Sequence, residues 1–462
     1  MAIGGPPPAV PAGAAQVHVR NPIESKRQRY FAFALVTSLF FTWGFCYGLL
    51  DVLNKHFVNI FGISKLQSTM MQTAYFGAYF VFAIPAGQFA SRFGYKALIH
   101  VGLTLYMIGA FCFWPSATTA KYYGFVLSTV VIGSGLVSLE VAANSYISVL
   151  GPPESASARL VFSQSFQAVA AFTGPLIASH TFFKSDSDDS LTSVQYVYLG
   201  VGLLGLVLNI LFFFCKLPEI SEDNLQEGLD EAGIVVKPLW EQWHTIFGFL
   251  TQFAYVGAQV CVISFVMFYI ADDPYLRARF TDAEASNMVS YLQITFMMGR
   301  FLSTPLLNWL QRDDLILFVY STICAIFTII VMTTGGRAGL ASLFIILFFE
   351  SIQFPVIFVM GTSNLGRWTK RGSSLLVMGV GGGAAFPPMQ GAISDNISTT
   401  RSYGIPLIGF VVVMLYSLGM MRARSRNSRI AKDVLAERGN VVTEDSGSDV
   451  KADEERIEKS SA

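Results

Sequence analysis

Charge is scarce in this 462-residue chain: Asp, Glu, Lys and Arg together make up 13% of it, against roughly 25% in soluble domains. The 31 basic and 31 acidic residues cancel, which leaves no basic footprint for nucleic acid. Cysteine is sparse as well. The five, Cys46, Cys112, Cys215, Cys261 and Cys324, all lie in apolar runs and lack metal-ligand or disulfide spacing. They read as small core residues, and no metal or cofactor is expected. The chain also lacks the nucleophile–base or metal-ligand cluster that an enzyme needs. What fills it instead is apolar: 53% of the residues are hydrophobic and 40 are Phe. The class expected is a polytopic protein embedded in a lipid bilayer, not an enzyme.

A spanning helix takes about 20 apolar residues. Twelve stretches qualify: 30–54, 68–91, 96–115, 122–149, 157–183, 196–215, 244–270, 285–310, 315–334, 340–364, 372–394 and 402–421. Nothing breaks the first before Gly62, so it can continue past Asn54. The acidic segment 216–243 splits the twelve into two sets of six. The domain expectation is therefore a disordered cytoplasmic arm (1–29), a six-helix bundle (30–215), a cytoplasmic linker (216–243), a second six-helix bundle (244–421) and a disordered cytoplasmic tail (422–462). Residues 1–29 are Pro/Ala-rich and then basic, unlike a signal peptide. Near-membrane segments on the side of the termini carry 17 Lys/Arg and the opposite loops eight. That excess places both termini in the cytoplasm, with the plasma membrane as the expected location.

The few polar residues inside the spans are not scattered. Spans 3, 6, 9 and 12 hold one Asp, Glu, Asn or Gln between them, Asn209. The other eight spans hold all the rest, so they line something wet. An acid at a helix centre costs roughly 2.5–3.5 kcal/mol on insertion scales, and it persists where it faces a cavity. Trp43, Tyr47 and Asp51 lie at i, i+4 and i+8 on one face of span 1. An aromatic plane beside a carboxylate suits a pyranose, whose C–H face stacks while its hydroxyls donate to the acid. Glu140 and Asn144 share a face of span 4, and Gln164 and Gln167 share one of span 5. In the second half Gln252, Tyr255 and Gln259 share a face of span 7, and Glu350 and Gln353 one of span 10. Arg300, inside span 8, either pairs with a carboxylate in the bundle or snorkels to the surface. Gly379, Gly381, Gly382 and Gly383 in span 11 allow close packing or bending. Asn396-Ile397-Ser398 is a glycosylation sequon in a loop on the far side from the termini.

The twelve-span layout resembles the major facilitator superfamily. GQFASRFGYK, Gly87 to Lys96, resembles its loop motif between helices 2 and 3: Gly87, Arg92, Gly94 and Lys96 match, and Ser91 stands where an acid is usual. Within the superfamily, FFTWGFCYGLLDVL, SLEVAANSYISVLGPPES and FSQSFQ resemble the fucose permease branch, the fucose–galactose–proton symporters. YVGAQVCVISF and SIQFPVIFVMG resemble its helices 7 and 10. The likeness covers about residues 35–420. It implies an all-α fold of twelve transmembrane helices in two six-helix bundles. It also implies that Asp51 and Glu140 are the two cavity carboxylates and that Trp43, Gln164 and Gln167 line a sugar site. Where the branch has asparagines before the helix 1 acid, this chain has Gly48 and Leu50. Gln167 replaces the usual Asn, and Glu350 is an additional carboxylate.

The resulting expectation is a monomeric proton-coupled symporter importing a monosaccharide, L-fucose or a galactose- or glucose-like hexose, by alternating access. Proton coupling is assigned to Asp51, Glu140 and Glu350. Sugar contacts are assigned to Trp43, Tyr47, Glu140, Asn144, Gln164, Gln167, Gln259 and Gln353. An uncoupled or sodium-coupled sugar transporter and a non-transporting sugar sensor are the alternatives.

Overall fold

The computed structural model describes residues 26–61, 65–182 and 190–426. Within these, the side chains of residues 50–60, 65–70, 174–182, 190, 193, 282, 283 and 286 lie outside the description. The first half is built of α1 (Lys26–Phe61), α2 (Lys65–Thr118), α3 (Tyr122–Val149), α4 (Ala156–Phe182) and α5 (Ser190–Phe214), followed by the short α6 (Glu222–Glu231). The second half comprises α7 (Trp243–Ser264), α8 (Val266–Asp272), α9 (Pro274–Arg277), α10 (Asp282–Leu310), α11 (Asp313–Thr334) and α12 (Gly336–Glu350). It continues through α13 (Gln353–Gly361), α14 (Thr369–Met378), α15 (Gly382–Asn396) and α16 (Thr399–Ser402) to α17 (residues 404–426). The described residues contain no strand.

The described residues of all twelve predicted spans are mainly helical, with breaks in the tenth and eleventh. By length and composition, eight helices among the described residues can cross a membrane. One of them, Met71–Thr118, carries the second and third spans together. The spans outside this set are the fifth, eighth and eleventh. Two of these are the amide-rich helices α4 and α10, and the third is interrupted at Gly379–Gly381.

The ends differ from the sequence expectation. α1 begins at Lys26 and α17 runs to residue 426, so both reach into segments expected to be disordered. Hydropathy marks only the part of a helix in hydrocarbon, whereas backbone hydrogen bonding continues beyond it. The remainder of both tails lies outside the described residues. α1 does continue past Asn54, to Phe61.

Arg29 and Arg424 line one cavity of about 990 Å³, which puts both ends of the described chain on the same face, here called the terminal face. The connecting segment lies there too, as Leu225 and Leu229 of α6 line the same cavity. Ser221 caps α6 by accepting from the Asn224 N–H at 3.1 Å, and the helix buries Leu225 and Leu229.

The expected linker is thus a folded strap between the halves. Tyr146 donates to the Pro218 carbonyl at 3.0 Å. Glu219 accepts from the Tyr95 N–H at 2.9 and 3.1 Å and pairs with Lys370 of α14 at 3.1 Å. Glu222 accepts from the Lys370 N–H at 3.0 Å. The loop motif lacks its acid, and the Ser91 hydroxyl is buried without a partner. A carboxylate reaches the neighbouring turn from the strap instead. The turn itself depends on Gly94, at φ 87° and ψ 173°, which breaks α2. That region of backbone space is open almost only to glycine and costs other residues about 1–3 kcal/mol. A Cβ at Gly94 would also lie 2.8 Å from the Glu219 carboxyl. Gly94→Ala is accordingly expected to lower the unfolding midpoint of the detergent-solubilised protein; an unchanged midpoint would show that the turn relaxes freely.

Within the first half α2 packs on α3 and α5, and α1 on α4; within the second α11 and α10 pack on α12, and α13 and α15 on α7. The halves meet where α10 packs on α4 and α14 on α2 and α3. A cavity lies between them, among the helices that carry the polar residues.

Candidate functional site

This central cavity, about 90 Å³, is lined from both halves. The first contributes Trp43 and Tyr47 (α1), Phe76 (α2), Glu140 (α3), and Gln164 and Gln167 (α4). The second contributes Val256 and Gln259 (α7), Gln293, Phe296 and Arg300 (α10), Glu350 (α12) and Phe354 (α13), with Val380 from the break between α14 and α15.

The aromatic wall follows from helical spacing. Trp43 and Tyr47, one turn apart, stack with centroids 5.5 Å apart and planes at 16°. Tyr75 meets the Trp43 ring edge-on at 6.4 Å, and Phe76 meets Tyr47 at 6.3 Å. The Trp43 indole N–H donates to the Tyr79 hydroxyl, which satisfies the one polar atom of a partly buried Trp. Gly44 brings this wall to the amides: a Cβ there would sit 2.0 Å from the Gln167 carbonyl oxygen. Only backbone against backbone fits between α1 and α4 at this point.

Glu140 is 7% exposed. Its Oε1 accepts from Asn144 Nδ2 at 3.4 Å, while Oε2 is buried without a hydrogen-bond partner. Asn144 Oδ1 in turn accepts from Gln164 Nε2 at 3.1 Å. The shared face of Glu140 and Asn144 is real, but Asn144 is 0% exposed and does not line the cavity. It stands one turn behind and fastens α3 to α4.

In the second half the lining depends on a broken helix. Pro355 has no N–H, so it cannot bond the carbonyl of Ser351 four residues earlier, and span 10 divides into α12 and α13 at this point. Arg300 Nε donates to the orphaned Ser351 carbonyl at 2.9 Å, and the Tyr255 hydroxyl donates to the Glu350 carbonyl at 2.8 Å. Other groups have taken up the freed backbone, as a non-aqueous site requires. The break also separates two residues expected on one face. Glu350 lines the cavity with both carboxylate oxygens unpartnered, whereas Gln353 does not line it and approaches Cys324 Sγ at 3.3 Å.

Arg300 follows neither sequence alternative. It is 4% exposed and makes no ion pair among the described residues. Besides Ser351, it donates to the Gln164 carbonyl and, at 3.1 Å, to Gln167 Oε1. Its guanidinium lies over the Phe296 ring at 4.7 Å. A single side chain thus ties α10 to α4 across the halves. A lone basic residue within an apolar run was its only signal in the sequence. Phe76, Phe296 and Phe354 gave none, because apolar lining reads as core.

The structure therefore assembles Trp43, Tyr47, Glu140, Gln164, Gln167, Gln259 and Glu350 around one cavity and leaves Asn144 and Gln353 behind its wall. Asp51 lies within α1, but its side chain is outside the described residues.

Two facing helical halves around a central cavity with polar groups from both define a membrane transporter of the alternating-access kind. The chain belongs to the Major Facilitator Superfamily, whose sequence profile matches residues 31–423; it is a multi-pass transporter, not an enzyme. Among its relatives is a glucose/galactose transporter of Brucella abortus biovar 1 (strain 9-941), 33% identical over 413 residues, covering 88% of this chain and 98% of the relative. Another is the L-fucose-proton symporter of Escherichia coli (strain K12), 33% identical over 417 residues, covering 85% and 93%. Among solved structures, the transporter FucP in the outward conformation matches with a TM-score of 0.73 and 30% identity, covering 85% of this chain and 99% of that one.

Proposed function

We propose that this protein imports a neutral monosaccharide together with a proton, with L-fucose and galactose- or glucose-like hexoses as the substrate class. The observation that carries this reading is the cavity itself. An aromatic wall from α1 faces amides from α4 and α7, and a carboxylate with an unpartnered oxygen approaches from each half: Glu140 through Oε2 and Glu350 through both oxygens. The amides and Glu140 suit sugar hydroxyls, which both donate and accept, and the stacked Trp43–Tyr47 surface suits a pyranose C–H face. A neutral sugar carries no charge, so uphill uptake requires an ion, and intramembrane carboxylates supply a proton site. Asp51, on the helix that carries Trp43 and Tyr47, is assigned to coupling with Glu140 and Glu350. The two relatives, one a glucose/galactose transporter and one an L-fucose-proton symporter, support the same class.

In this reading residues 30–215 and 244–421 are the two moving bundles, and 216–243 is the cytoplasmic strap between them. The protein acts as a monomer in the plasma membrane, with both termini in the cytoplasm, as the basic residues on the terminal face favour. The test is uptake of radiolabelled L-fucose, D-galactose and D-glucose into proteoliposomes, with and without an inward proton gradient. Accumulation of one of these sugars only with the gradient is expected. Equal uptake without it would indicate facilitation, dependence on sodium would move the coupling to that ion, and no uptake of any sugar would favour a sensor.

A further inference from the structure

The polar residues of α3 continue past the central cavity. Glu140, Asn144 and Ser148 lie at i, i+4 and i+8, so one face of the helix carries all three. Glu140 lines the central cavity, Ser145 and Ser148 line the large cavity at the terminal face, and Asn144 lines neither. At 1.5 Å per residue, Glu140 and Ser148 are about 12 Å apart along the helix. Asn144, 0% exposed, is the polar group on that face between the two cavities.

Elsewhere the partition mixes apolar side chains with isolated buried polar groups, among them Gln252 on α7 and the Thr37–Ser163 hydroxyl pair between α1 and α4. In the second half the central cavity ends at Phe354 and the terminal cavity begins at Val359 and Met360, with Pro355, Val356, Ile357 and Phe358 buried between them. On α4 the turn below Gln164 holds Leu160 and Val161, both 0% exposed. The α3 stripe is thus a continuous polar face with one end in each cavity.

We propose that the Asn144–Gln164 amide pair is a proton insulator that separates Glu140 from the water of the terminal cavity. The inference rests on the proton-coupled reading above. Every hydrogen-bonding group of Asn144 used here is engaged: Nδ2 with Glu140 at 3.4 Å, Oδ1 with Gln164 at 3.1 Å, and its carbonyl with the Ser148 hydroxyl at 2.7 Å. An amide has donors and acceptors but, unlike a carboxyl, no ionisation near neutral pH with which to pass a proton along. The pair therefore joins the helices and fills the polar gap without conducting. A coupled carrier needs such a barrier, because a proton that leaks from Glu140 without sugar dissipates the gradient. Among the described residues the titratable and charged groups around Glu140 are Tyr47 on α1, Tyr75 and Tyr79 on α2, Arg300 on α10 and Glu350 on α12, and on the terminal side of Asn144 the Tyr95 hydroxyl meets that of Ser145 at 2.7 Å.

Replacing Asn144 by Ala keeps the backbone carbonyl that Ser148 bonds but leaves a polar gap between the Glu140 carboxylate and the Gln164 amide. That is room with enough partners to hold water. Asn144→Asp instead puts an exchangeable proton in the path. The experiment loads proteoliposomes with a pH-sensitive dye, imposes a proton gradient and follows its decay with no sugar present. Both variants are expected to speed the protein-dependent decay about tenfold or more over wild type, and the double variant Glu140→Gln/Asn144→Ala to return it toward wild type. Asn209→Ala is the control, since it removes a comparable amide network on the α2–α5 side, with His100 and Thr104, away from both cavities. Folded Asn144 variants that are no leakier than wild type would overturn the proposal. So would an equal leak from Asn209→Ala, or a leak that persists in the double variant. Failure of the coupling reading appears separately, as wild-type sugar accumulation that is indifferent to the gradient.

Discussion

Glu140→Gln is expected to bind sugar about 10–100-fold more weakly than wild type, the equivalent of roughly 1.5–3 kcal/mol for a hydrogen bond to a charged acceptor. The carboxylate is buried at the cavity wall, and one oxygen is already committed to Asn144. The other, Oε2, has no protein partner, and a sugar hydroxyl entering the cavity supplies one. Glutamine keeps the size and the link to Asn144 but presents a neutral amide instead of the charged oxygen. Calorimetry on the purified protein reads the affinity, and a thermal melt in the same buffer reports whether the variant is folded. Unchanged affinity in a folded variant would remove Glu140 from the sugar site.

Asp51→Asn is expected to abolish proton-driven accumulation while sparing sugar-for-sugar exchange. Asp51 is the acidic residue of α1, two turns beyond Trp43 on the same helical face. In the proposed cycle Asp51 takes a proton from the side facing the higher proton concentration. Once neutral, it lowers the cost of closing the cavity around the sugar, because burying an ionised group costs far more than burying a neutral one. Opening to the other side rehydrates it and releases the proton. Asparagine mimics the neutral form permanently, so exchange, which needs no net proton movement, continues. Concentrative uptake and counterflow measured in one proteoliposome preparation decide the matter. Loss of both would make Asp51 a binding or structural residue, and retained accumulation would move the coupling to Glu140 or Glu350.

The sequence by itself determined the class, the helices and most of the cavity's polar lining. In a bilayer the solvent is uniform, so long apolar runs have one outcome, and a polar residue within them has few places to go. Glu140, Gln164, Gln167, Gln259 and Glu350 were legible for that reason, and Trp43 and Tyr47 because helical spacing puts them on one face. Tertiary structure decided which polar groups reach the cavity and which serve behind it. Asn144 shares a face with Glu140, yet it is consumed by a contact to Gln164 that no spacing within α3 reveals. Gln353 turns toward Cys324 because Pro355 and the break before it change the register, which an ideal helix hides. Arg300 draws its partners from α4 and from the carbonyl of Ser351, and these are set by how the two halves meet. The acid missing at Ser91 is answered by Glu219, more than a hundred residues on, where the strap crosses the terminal face. Local periodicity tells a side chain which way to point, but its partner belongs to another helix, and only the packing of the helices brings the two together.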